Sequence, residues 1–62
     1  MNIESLTSGQ SFTMADFPNM TMTAWVVKTQ NGMTRVTYKV VGKENARFED
    51  MVKPALSTVY PV

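Results

Sequence analysis

A chain of 62 residues with a formal net charge of +1 and 44% apolar side chains fits one small folded domain and excludes a disordered polyelectrolyte. It contains no cysteine and no histidine, which excludes disulfides, thiolate or imidazole metal sites, and the commonest general bases and nucleophiles of enzymes. A domain this short keeps a net stability of only about 3–5 kcal/mol, so packing or a partner must supply what covalent staples do not.

Residues 1–20 are the least regular part. Ile3, Leu6, Phe12, Met14, Phe17 and Met20 are too apolar to be left in water, and Gly9 and Pro18 punctuate them. They are read either as one short strand near 10–14 or as an extended arm packed on a sheet. Met1 to Ser5 carry no basic region followed by an apolar one, so the expectation is a cytoplasmic protein without a secretory signal. The uncharged run 17–27 is interrupted by Pro18, Asn19, Thr21 and Thr23, so no membrane span is expected.

The strongest local signal is Asn31-Gly32 between two β-branched runs. Both central residues of a type I′ turn need positive φ, which Asn and Gly tolerate, so residues 21–41 read as a two-residue hairpin. Such a turn fixes the register. Gln30 faces Met33, Thr29 faces Thr34, Lys28 faces Arg35, Val27 faces Val36, Val26 faces Thr37 and Trp25 faces Tyr38. Further out, Ala24 faces Lys39, Thr23 faces Val40 and Met22 faces Val41. Alternation then puts Trp25, Tyr38, Val27, Val36, Thr23, Val40, Thr29 and Thr34 on a core face. Lys28, Arg35, Val26, Thr37, Ala24, Lys39, Met22 and Val41 fall on the other.

Beyond Gly42, Phe48, Met51, Val52 and Ala55 recur at helical spacing with Arg47, Glu49, Asp50 and Lys53 opposite, which predicts a helix over 44–53 ended by Pro54. Thr58-Val59-Tyr60 predicts a short strand over 57–61, held to a sheet edge by Pro61. This strand is expected beside hairpin strand one, or alternatively strand two. The expected fold is therefore α+β, a single domain over 1–62 of order ββαβ in which the helix covers Trp25, Tyr38, Val27 and Val36.

No catalytic, cofactor or metal constellation is present in the sequence, and the glycines are too isolated to cradle a phosphate. All six basic residues lie between Lys28 and Lys53, whereas Glu4 and Asp16 are the only charges before Lys28. Lys28 opposite Arg35 places like charges directly across a ladder, which costs stability unless a carboxylate meets them. Either the long stems splay into solvent and shield the edge, or Glu4 or Asp16 folds back to supply that carboxylate, or an acidic patch on a partner does. The expected contact residues are Lys28, Arg35 and Lys39, with Val26 and Met22 as the apolar part and Phe12 and Phe17 as secondary candidates.

The leading expectation is a small protein-binding module, such as an accessory or inhibitor in the style of compact virus-encoded regulators, docking on a larger protein as a monomer or weak dimer. The second is nucleic-acid binding through Lys28, Arg35, Lys39 and Lys43, against which the basic face shows no aromatic residue. The third is a structural subunit completing its sheet with copies of itself.

Overall fold

Asn31 adopts φ of 53° and Gly32 φ of 75°, and the turn they form organises the molecule. In the computed structural model, which describes residues 1–43 and 45–62, this turn joins β2 (Phe17–Gln30) to β3 (Met33–Val40). Gln30 pairs with Met33, Thr29 with Thr34, Lys28 with Arg35, Val27 with Val36 and Val26 with Thr37, as a two-residue turn requires.

At the next position the ladder shifts. Ala24, not Trp25, lies opposite Tyr38, followed by Thr23 opposite Lys39 and Met22 opposite Val40. Trp25 is the extra residue of a β-bulge, so every pair before Val26 differs by one from the uninterrupted register. The core face of β2 changes parity with it: Met22 and Ala24 are buried, and Trp25 is exposed. Tyr38 and Val40 still pack against the core.

The expected helix is absent. Glu49–Pro54 form β4, antiparallel to β3 from Met33↔Pro54 to Tyr38↔Glu49. Among the described residues the only helical element is a single 3-10 turn at Ile3–Ser5. The fold is thus an antiparallel five-stranded sheet and not α+β. The physical reason lies in β3, whose backbone groups facing away from β2 need partners; a strand satisfies them and a helix cannot. The apolar residues of the segment also split between two faces, Met51 packing toward the core and Val52 standing in solvent. Glu44, the first residue of the expected helix, lies outside the described residues.

The two ends of the chain contribute the rest of the sheet. β1 (Ser11–Met14) pairs with the first half of β2 through Ser11↔Thr23 and Phe12↔Met22. β5 (Tyr60–Pro61) pairs with β1, giving the order β4-β3-β2-β1-β5. The last strand therefore joins neither hairpin strand, because β1 already occupies the edge of β2. The two chain ends are stitched together: the Ile3 amide donates to the Ser57 carbonyl at 2.7 Å and the Val59 amide to the Met1 carbonyl at 2.8 Å. Ile3, Leu6, Phe12, Met14, Met22, Ala24, Val36 and Val59 form the buried cluster, and the buried Thr34 hydroxyl is met by Thr29 Oγ1 at 2.8 Å.

Tyr38 couples this core to pH. Burial, and then the charge of Glu49 opposite it, raise its phenol above the usual value. A phenol whose folded pKa is raised stabilises the fold fully below the unfolded pKa of about 10 and loses that contribution as pH rises through the folded value. The denaturant midpoint is expected to fall on crossing about pH 10, and Tyr38→Phe to flatten that fall. An equally steep fall in Tyr38→Phe would place the cause elsewhere.

Candidate partner-binding face

The bulge determines what the outer face carries. Where one strand inserts a residue, its local twist increases and the extra side chain is re-aimed. Trp25 is expelled beside Val26, and each is 46% exposed. From Val26 onward the outward residues are Val26, Lys28 and Gln30 on β2, Met33, Arg35, Thr37 and Lys39 on β3, and Asp50, Val52 and Pro54 on β4, as the pairings place them.

Phe48, just before β4, completes the face. It is 54% exposed, packs edge-to-face on Trp25 with ring centroids 5.9 Å apart, and lies under the Lys39 ammonium at 4.3 Å. A half-exposed aromatic pair held by a cation–π contact presents a large, rigid apolar surface with a positive rim. Toward the Asn31-Gly32 turn, Lys28, Gln30, Met33, Arg35 and Val52 line a shallow recess.

The electrostatics are lopsided. Against Lys28, Arg35 and Lys39 stands Asp50, which accepts a hydrogen bond from Thr37 Oγ1 at 2.7 Å and lies 4.0 Å from Arg35. Among the described residues no carboxylate pairs with Lys28. Asp16 does not fold back on the like-charge pair, because it bonds Lys53 Nζ at 3.0 Å. Asp50, on the strand next to Arg35, takes the neutralising role considered for Glu4 or Asp16.

Of the expected contact residues, Val26, Lys28, Arg35 and Lys39 share this face. Met22 does not: it is fully buried opposite Val40, so the parity change removes it from any contact surface. Phe12 is likewise wholly buried in the core. Phe17 is partly exposed at the far end of β2, paired with Met14, and away from the cluster. Trp25, Phe48 and Val52 join the face without having been expected on it. One signal was available, since three consecutive large apolar residues, Trp25-Val26-Val27, cannot all obey the alternation of a half-buried strand.

Among the described residues no group of three carboxylates is placed to hold a metal ion, and no helix is long and apolar enough to cross a membrane. No protein-family model, no curated protein and no solved structure matches the chain.

Proposed function

We propose that this chain is a small non-catalytic binding module that docks on a larger, acidic protein through the outer face around Trp25. The observation that carries the reading is the extrusion of Trp25 by the bulge onto a face that already holds Phe48, Lys28, Arg35 and Lys39. Ordinary packing leaves a tryptophan mostly covered; one pinned half-exposed against a second aromatic, on a face that also carries arginine, has the composition of interface anchors. Lys28 and Lys39 supply charge for steering an acidic surface.

The test is capture of a partner from native lysate on the immobilised chain, followed by titration of the purified partner against Trp25→Ala. The variant is expected to stay folded and to bind about thirtyfold more weakly, or ~2 kcal/mol. Wild-type affinity in a folded Trp25→Ala would reject this face as the contact.

A nucleic-acid reading gains one observation, because the basic face does carry aromatics. Against it, Lys39 covers one side of the Phe48 ring, and the Trp25–Phe48 contact takes part of the remaining ring surface, leaving little for base stacking. A salt titration with oligothymidylate separates the two readings, since phosphate contacts make affinity fall steeply with salt.

A further inference from the structure

β4 is an edge strand, paired with β3 alone, and the hairpin fixes which of its backbone groups point outward. A two-residue turn makes its flanking residues a hydrogen-bonded pair, here Gln30 and Met33, and alternation extends this to Lys28/Arg35 and Val26/Thr37. Thr34, Val36 and Tyr38 therefore turn their amides and carbonyls toward β4, where Lys53, Met51 and Glu49 meet them. The Ala55 amide, donating to the Gly32 carbonyl at 2.9 Å, continues the same phase. Asp50 and Val52 are left with amide and carbonyl directed away from β3, and among the described residues no backbone group outside the β3 ladder meets them. Pro54, which has no donor to lose, sits in this outward phase too.

We propose that a second copy of this chain adds to this edge, β4 against β4, about a two-fold axis at Met51. Three registers would pair the outward backbone groups. An axis at Asp50 sets like charges face to face, and one at Val52 spends Asp50 on the donorless Pro54. The axis at Met51 pairs Asp50 with Val52 of the second copy and sets Glu49 opposite Lys53 of the second copy, whose ammonium keeps its bond to Asp16 and gains a second carboxylate across the ladder. On the outer face Arg35, next to Val52 in its own chain, comes within reach of the second copy's Asp50. Met33 and Pro54 meet the second copy's Phe48, which covers half-exposed apolar surface on both chains. Phe48 is then shared with the dimer contact, whereas Lys28, Trp25 and Val26 remain open, so the dimer presents two docking faces centred on Trp25, and its formation does not depend on the docking function being right.

The interface is small, so the association is weak and reversible. Sedimentation velocity over a concentration series of the full chain is expected to show monomer passing into dimer. Val52→Pro removes an outward amide while keeping the β3 ladder, and should weaken association at least ~tenfold. Asp50→Lys should weaken it similarly, with Arg35→Glu added to Asp50→Lys restoring it; this pair carries the test if Val52→Pro fails to fold by NMR dispersion. A wild type that stays monomeric to about 1 mM, or a folded Val52→Pro that associates like wild type, overturns the proposal.

Discussion

Deletion of Trp25 is expected to leave the domain folded with Met22 and Ala24 still in the core, as is Trp25→Ala. β2 serves two neighbours, β3 along its second half and β1 along its first, and the bulge sits where one hands over to the other. Removing that residue deletes the bulge but leaves Ala24 next to Val26 and still opposite Tyr38, so Met22 and Ala24 stay inward. Only an uninterrupted ladder that kept Trp25 as a rung would turn them to solvent and Thr21 and Thr23 inward. In that ladder, exposing Met22 alone forfeits on the order of 2–5 kcal/mol, by comparison with Met→Ala in cores. Burying unpaired threonine hydroxyls adds roughly 1–3 kcal/mol each. The sum exceeds the ~3–5 kcal/mol a chain of this size retains. Trp25→Ala keeps the residue count, so both registers persist, and truncating a half-exposed side chain shifts stability by no more than about 1 kcal/mol. Urea denaturation of the two variants checks this. A deletion variant that no longer folds would show that the local twist added by the bulge, and not the ladder register alone, holds Met22 in the core.

The same bulge marks where the sequence stops being readable. Asn31-Gly32 and the five pairs nearest the turn follow from local chemistry, because positive φ at two adjacent positions leaves few residue choices and a two-residue loop leaves one register. Past Val26 the register depends on β1 needing Phe12 opposite Met22, a contact between segments ten residues apart that hairpin rules cannot anticipate. The helix expected over 44–53 fails for a related reason. Phe48, Met51, Val52 and Ala55 have helical spacing, but short apolar runs fit both periods, and the unpaired side of β3 decided between them. Phe12 and Met14, both buried with a half-buried Thr13 between them, do show the period of a strand. For the candidate face, charge was legible and shape was not. Lys28, Arg35 and Lys39 were placed together by alternation, while Trp25 and Phe48 reached them only through the bulge and β4.

Reversing Arg35 to Glu is expected to separate binding from folding. In the free chain Arg35 faces Lys28 across the ladder and lies 4.0 Å from Asp50, both side chains being more than half exposed. The reversal turns the repulsion with Lys28 into attraction and sets a second carboxylate beside Asp50. Each of these exposed terms is worth less than about 1 kcal/mol and they oppose each other, so the thermal midpoint should move by only a few degrees, on the order of 4–8 °C at most. Partner affinity should fall instead, through a slower on-rate at low salt, with the deficit shrinking as salt screens the steering field. The measurement belongs at protein concentrations below self-association, since Arg35 also borders the β4 edge. Stability and binding lost together would assign Arg35 to the fold, and rescue of stability by Asp50→Lys would identify their ion pair as the cause. A folded Arg35→Glu with wild-type affinity at every salt concentration would remove charge steering from this face. Trp25 and Phe48 would then be its only anchors, and the like-charge pair at Lys28 would be a tolerated cost of solubility.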